Sequence, residues 1–349
     1  MRTIILSLTC ALTATAAQAN TLSFPGTKGK PGNGKHIVLI AGDDEYRSEE
    51  SCPMLAKILS KHHGFKTTVL FSQNKEGGFI DANAQKNIPG TEAVNTADFL
   101  ILGLRFRDLP DDQLKPLADY LNAGKPVFGF RTSTHGFRTK SKLGGINWGN
   151  LGPDVLGEGW AGHYGGHGSQ GARGVINEPH AKHPILNGVS DVFAESDVYG
   201  VRRVTKDNAT ILVHGVVTEA LVPESADVKG KQPQPAVWLK KYQTPEGKEG
   251  TALCTTMGSS CDLDNEGLRR IFINAAFHFT GLEVPSKVDV SFVDPFNPSR
   301  FSFLNRGDHF KKLNLKPADF GYGKSPQITE PASVFINKNA EKWKTSKSQ

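Results

Sequence analysis

The chain has 349 residues, of which 38% are hydrophobic and 22% charged, an ordinary balance for a soluble globular protein of one large domain or two small ones. Its formal charge is +6, with basic residues spread along the chain and a lysine-bearing tail at Lys338, Lys342, Lys344 and Lys347. With no aromatic-basic stripe and no binding motif, that charge makes no case for a nucleic-acid partner.

Residues 1–19 read as a signal peptide. Arg2 opens them, an apolar segment too short to span a bilayer easily follows, and Ala17-Gln18-Ala19 offers a small-residue cleavage site. No later stretch is long and apolar enough to span a membrane, so a periplasmic or secreted protein is expected. Cys10 leaves with the signal. Cys52, Cys254 and Cys261 remain, which allows at most one internal disulfide, and no CxxC suggests a structural zinc site.

Residues 20–34, rich in Gly, Pro and Lys, read as a linker. The apolar run 36–41 predicts a buried strand that ends in Gly42-Asp43-Asp44-Glu45-Tyr46-Arg47. A helix follows, with Ser48 or Ser51 as cap, Glu49 and Glu50 at its positive end and Pro53 in the first turn. Residues 66–71 and 98–103 predict two more strands, the second ending in Leu104-Arg105-Phe106-Arg107. A helix over 111–121 is stopped by Gly124. Val127, Phe128 and Phe130 then form a strand, after which the chain turns polar at Arg131, Thr132, Ser133, Thr134 and His135. This rhythm predicts a parallel sheet with helices on both faces and right-handed crossovers.

Residues 143–175 break the rhythm, with eight glycines between Gly157 and Gly174, among Trp160, His163, Tyr164 and His167. The spacing of His163 and His167 would pair them only on a helix, which the glycine content disfavours, so no metal ligand set is expected. A loop that touches substrate through flat rings and imidazoles is the reading taken, against an ordered surface loop without function. Residues 191–201 carry Glu195, Asp197 and Tyr199 in alternation, which on a strand would face one side. Strands are predicted at 211–217, at 236–242 with Trp238 and Lys240 on one face, and at 251–256, before Met257-Gly258-Ser259-Ser260. A closing helix spans 265–279. Residues 35–283 thus form one α/β domain, and 284–349 form an extension that packs across it and ends in disorder.

Ligands of open α/β sheets bind beyond the carboxyl ends of the strands. Four such ends gather Asp43, Asp44, Glu45 and Arg47; Arg105 and Arg107; Arg131 to His135; and Thr255 to Ser259. Acid and base side by side suit proton transfer, and guanidinium forks suit paired oxygens of a carboxylate, phosphate or vicinal diol. An ion-pair network that merely closes the sheet edge is the rival reading.

The segments Ala41 to Arg47, Pro126 to Phe130, His183 to Leu186, Asp197-Val198-Tyr199, Pro235 to Trp238 and Thr255 to Gly258, in that order, resemble the ThuA-like family, named for trehalose utilisation. The resemblance runs from about His36 to Glu283 and is nearest a secreted, arginine-rich subgroup. It implies the class I glutamine amidotransferase-like fold, a flavodoxin-like three-layer α/β sandwich with a mostly parallel sheet, and a link to carbohydrate metabolism. Glutamine amidotransferases carry a nucleophilic Cys at the turn where this chain has Arg131, and a guanidinium is no nucleophile. ThuA-like proteins typically carry His at that turn and Gly-His after the last strand, where this chain has Gly258-Ser259. His135, His163 and His167 are the residues that could stand in.

The expected protein acts on a sugar or oxidised sugar by acid–base chemistry, with Asp44, Glu45 and His135 catalytic. Substrate contacts are expected from Asp43, Arg47, Arg105, Arg107, Arg131, Thr132, Ser133, Trp160, His163, His167, Asp197, Tyr199, Trp238, Met257 and Gly258. No cofactor is expected. The alternatives are a carbohydrate-binding protein without turnover, and a cysteine hydrolase using Cys52 at a helix N-terminus.

Overall fold

In the computed structural model, which describes residues 20–305 and 308–348, the predicted strands assemble into one sheet; the expected signal peptide lies outside these residues. The strands are β1 (Thr21–Phe24), β2 (His36–Gly42), β3 (Lys66–Phe71), β4 (Phe99–Leu104), β5 (Val127–Phe130), β6 (Ala172–Ile176), β7 (Phe193–Ala194), β8 (Thr210–Val217), β9 (Gln234–Gln243) and β10 (Glu249–Thr255). Their order is β1-β3-β2-β4-β5-β10-β9-β8-β6-β7. The run from β3 to β10 is parallel, the flavodoxin-like centre that the sequence predicts. The strands outside it, β1 and β9 to β7, pair antiparallel.

The central strands are apolar along their whole length because both faces are covered. Alternate residues of β2 face opposite layers. Ile37 and Leu39 pack with Leu55 and Ile58 of helix α1 (Ser48–Lys61) and with Ile271 and Phe272 of helix α3 (Glu266–Phe279). Val38 and Ile40 pack with Leu114 and Leu117 of helix α2 (Asp111–Asn122). Asn265 caps α3 by accepting the Leu268 N–H at 2.8 Å. Neither Ser48 nor Ser51 caps α1; the Ser48 hydroxyl instead accepts the Asp43 N–H at 3.1 Å and braces the turn before the helix.

Several segments differ from expectation. Thr21–Phe24, assigned by composition to a linker, form an antiparallel edge strand because Leu22 and Phe24 alternate into the core. Residues 191–201 are not a strand beyond Phe193–Ala194, since Asp191 and Asp197 take left-handed backbone angles. The extension ends in helix α5 (Ala332–Lys347), preceded by the short α4 (His309–Leu313), rather than in disorder. It is pinned to the domain by Glu50 of α1, whose carboxylate accepts the Ser299 N–H and the Ile328 N–H, each at 2.8 Å. Cys52, Cys254 and Cys261 are all buried and free, so the one disulfide that the count allowed is not formed. No described helix is long and apolar enough to cross a membrane.

Candidate functional site

Three strand ends and the loop before β8 leave their elements through left-handed residues that are not glycine: Arg47 (φ 58°), Phe106 (φ 50°), Arg131 (φ 50°) and Asp197 (φ 65°). Such angles cost of order 1–3 kcal/mol each and persist only where the surroundings hold them. At Arg131 this is the sharp turn by which a strand hands a side chain to the carboxyl edge of a sheet. Here the side chain goes into the protein.

Arg131 is fully buried. Its Nη1 donates to the backbone oxygens of Asp197 (3.0 Å) and Thr256 (2.6 Å). Its Nη2 donates to Tyr46 Oη (3.0 Å), to Asp197 Oδ1 (2.9 Å) and to the Ser196 carbonyl. The guanidinium carbon lies 4.2 Å from the ring centres of both Tyr46 and Tyr199, which clamp it from two sides. With both Nη groups spent on the protein and no exposure to solvent, Arg131 is a structural post and not the substrate clamp expected from sequence.

Asp197 carries the geometry outward. Burial works against its charge, yet Arg131 and the two histidines hold its carboxyl down at about 2. Its Oδ2 lies 2.9 Å from His163 Nδ1 and 3.2 Å from His167 Nδ1. The two imidazoles stack, with centres 4.0 Å apart. His167 Nε2 is 3.3 Å from Glu45 Oε1. Burial opposes charge on both partners, but the bonds to Asp197 and Glu45 raise the His167 pKa, and the bond from His167 with the nearby Arg105 and Arg131 lowers that of Glu45. Glu45, His163 and His167 offer ligand atoms within 4.8 Å of one another, so these residues could hold a metal. Asp43 fixes the Glu45 backbone by accepting its N–H at 2.8 Å, and Thr132 bonds the other Asp43 oxygen.

Arg105 occupies the mouth. Its Nη1 pairs with Asp44 Oδ1 at 3.0 Å and its Nε lies 3.5 Å from Glu45 Oε2. Its guanidinium stands 4.7 Å from the ring centres of Phe106 and Phe303. His135 lies under the exposed Trp160, ring centres 4.9 Å apart, with Thr134 Oγ1 at 3.0 Å from its Nδ1. Burial, then Arg105, Arg131 and His163, push the His135 pKa down to about 3, so this imidazole is neutral at physiological pH. Trp160 is 46% exposed and packs edge-on to Tyr199.

These contacts gather Asp44, Glu45, Arg105, His135, Trp160, His163 and His167 into one cluster, with Asp197 and Tyr199 buried behind it. Other expected contacts point away from it. Arg47 is buried and donates to the backbone oxygens of Asp44 (2.9 Å) and Ser302 (2.7 Å). Arg107 is buried against Arg105 O (2.7 Å) and Ser72 Oγ (3.0 Å). Ser133 ties β4 to the turn by donating to Leu102 O at 2.6 Å. Trp238 lies in the core and donates to Leu156 O at 2.8 Å. Asp43, Thr132, Met257 and Gly258 are sealed beneath the site, where Asp262 Oδ2 accepts the Gly258 N–H at 2.9 Å. Cys52 is fully buried and burial raises its thiol pKa, which removes the cysteine-hydrolase reading. Sequence reasoning missed Tyr46, although it sits in the Asp43 to Arg47 motif, and Phe301 and Phe303, which nothing local to the extension marks as site residues. Phe301 packs 4.9 Å from the His167 ring centre.

The strand order and parallel pairing define a flavodoxin-like α/β fold, with this cluster of side chains at the carboxyl edge of the parallel strands. The chain is similar to a solved structure from Parabacteroides merdae ATCC 43184, provisionally described as a thua-like protein, with 15% identity, 77% of this chain and 97% of that one covered, and a TM-score of 0.47. It is also similar to one from Bacteroides uniformis ATCC 8492 with the same description, with 12% identity, coverage of 74% and 95%, and a TM-score of 0.44. No family model and no curated protein matches the chain.

Proposed function

We propose that this cleft takes a sugar or an oxidised sugar derivative and transforms it by acid–base chemistry, and that the chain is not a glutamine amidotransferase. The observation that carries the reading is the placement of Trp160 over His135, beside the Arg105–Asp44 pair. A half-exposed indole offers a flat apolar face to a sugar ring. Arg105 offers a planar fork to its paired oxygens, and the neutral imidazole beneath offers a lone pair, as a weak base whose pKa burial and the neighbouring cations hold at about 3. Asp44 is the carboxylate that would share the proton. The sealed Arg131 and the buried cysteines leave no thiol nucleophile at the turn where an amidotransferase needs one. The ThuA-like order of motifs supports carbohydrate as the substrate class, and residues 1–19 support action outside the cytoplasm.

The filled turn also favours a second reading, a carbohydrate-binding protein that does no chemistry. Incubation of the mature chain with aldoses, uronic acids and keto-sugars, followed by proton NMR and calorimetry, separates the two. Saturable binding with conversion supports the enzyme, binding without conversion supports the second reading, and no binding of any sugar overturns both.

A further inference from the structure

We infer that Glu45, His163 and His167 form a binding site for a divalent transition-metal ion, with zinc as the cation to test first. The inference stands apart from the sugar reading, because it rests on donor chemistry alone. Three ligand atoms of these residues lie within 4.8 Å of one another. The sequence spacing argued against the pair because it would align the two rings only on a helix. The loop achieves the same result without one, by wrapping both histidines around a single carboxylate.

That carboxylate is the strongest part of the case. His163 and His167 both turn Nδ1 to Asp197 Oδ2, at 2.9 and 3.2 Å. A histidine whose Nδ1–H is held by a carboxylate can turn its Nε2 to a metal, the arrangement that orients ligands in many metalloproteins. At His167, whose Nε2 faces Glu45 Oε1 at 3.3 Å, the ion would take the place of the proton between the two. Asp197 cannot swing away, since Arg131 grips it at 2.9 Å and neither side chain reaches solvent. The loop is held as firmly. Tyr164 N–H donates to Val198 O and Gly200 N–H to Gly162 O, each at 2.9 Å. Gly166 N–H donates to Gln170 Oε1 at 2.7 Å. Gly162 and Gly168 take left-handed angles that let the loop double back. The third ligand, Glu45, comes from a braced strand-end turn, its carbonyl accepting the Ser302 N–H at 2.9 Å.

Two imidazoles and one carboxylate suit zinc and its first-row neighbours, whereas calcium and magnesium take oxygen ligands. The three residues leave a fourth position open, as catalytic rather than structural sites do. The histidine side chains are 27% and 30% exposed, against 8% for Glu45, so an ion can arrive from the cleft and face it. Convergence on one ion at about 2.0–2.2 Å requires the stacked rings, now 4.0 Å apart, to turn relative to each other.

The test uses the purified chain from residue 20 to its end, stripped with chelator. Calorimetric titration with zinc chloride should give one ion per chain. Affinity should fall by about a hundredfold or more in His163→Gln and in His167→Gln, beyond the loss usual for an outer partner, and hold in His180→Gln outside the cluster. Cobalt(II) titration of the unaltered chain gives a readout that needs no variant, through the visible absorption of a low-coordinate nitrogen–oxygen site. Stoichiometric zinc binding with these losses, or the cobalt spectrum at one equivalent, supports the site. Absence of stoichiometric binding, or affinity unchanged in both ligand variants, overturns it.

Discussion

Arg131 and Asp197 form an ion pair in which Nη2 and Oδ1 lie 2.9 Å apart and neither side chain reaches solvent. One residue leaves the end of β5 and the other a loop of the antiparallel half, so the pair rivets the two halves of the sheet behind the cleft. Removing one partner strands the other charge in the interior. We expect Asp197→Ala and Arg131→Met each to lose about 3–5 kcal/mol of stability. Arg131→Lys should also destabilise, because an ammonium cannot fill the planar slot between Tyr46 and Tyr199. Denaturant unfolding measures this. A loss below about 1 kcal/mol in all three would mean that the pair is not the post described here.

Glu50 should control the extension. Its carboxylate accepts from Ser299 N, Ile328 N and Ser260 Oγ at 2.8, 2.8 and 3.0 Å. Glu50→Ala leaves these donors unsatisfied, at a cost of about 3 kcal/mol or more if they stay buried. The cheaper escape is release of the segment. Limited proteolysis should then cut the variant between 290 and 348 under conditions where the unaltered chain resists. An unchanged digestion pattern would contradict the anchoring role.

His36 should make stability depend on pH. Its ring nitrogens meet Thr96 Oγ1 at 2.9 Å and Thr68 Oγ1 at 3.0 Å, with Lys66 and Asp98 as the charged groups nearby. Burial and then Lys66 push its pKa down to about 4. An unfolded histidine titrates near about 6.5, so between these values the unfolded chain takes up a proton that the folded chain refuses. Stability is full above about pH 6.5 and falls as pH drops towards 4. His183, also lowered to about 4, acts in the same direction. Melts at pH 7 and pH 5 should converge partly in His36→Gln, and an equal pH dependence in the variant would refute the assignment.

Much of this architecture is legible in the chain. The apolar runs at 36–41, 66–71 and 98–103 announce a parallel centre because strands covered on both faces have no polar alternation to hide. Asp44, Glu45, Arg105 and His135 are legible as candidates because they lie in the turns that follow such strands. The direction in which each side chain turns is not. Arg131 follows its strand as Arg105 does, but a left-handed backbone angle and two tyrosines from distant segments draw it inward. Asp197 looks like one tooth of an alternating strand, yet it works from an irregular loop, where its backbone angle aims it at two histidines. Those histidines sit in a glycine-rich stretch whose shape is set by that same carboxylate, so local sequence carries no trace of their meeting.

Trp160 and Arg105 should separate binding from folding. Trp160 is half exposed, so Trp160→Ala should leave the melting temperature nearly unchanged. Arg105→Gln strips the buried Asp44 of its ion-pair partner and should lower it, so affinity there is read per folded molecule. Ligand affinity should drop by a factor of tens or more for Arg105→Gln, corresponding to about 1.5–3 kcal/mol for a lost charge-assisted hydrogen bond. Calorimetry with whichever sugar binds the unaltered chain supplies the numbers. Full affinity in both variants would move the binding site elsewhere.

The central claim is that the cleft performs acid–base chemistry on a sugar, with His135 as proton acceptor beneath Trp160. The most direct measurement is a proton-NMR time course of the purified chain with keto-sugars and uronic acids in deuterated buffer, run beside His135→Ala. The account predicts that one such sugar is converted or exchanges a carbon-bound proton, and that His135→Ala slows this by about 10²–10⁴-fold while still binding the sugar. A sugar that binds but is never altered, or conversion undiminished in His135→Ala, would contradict it.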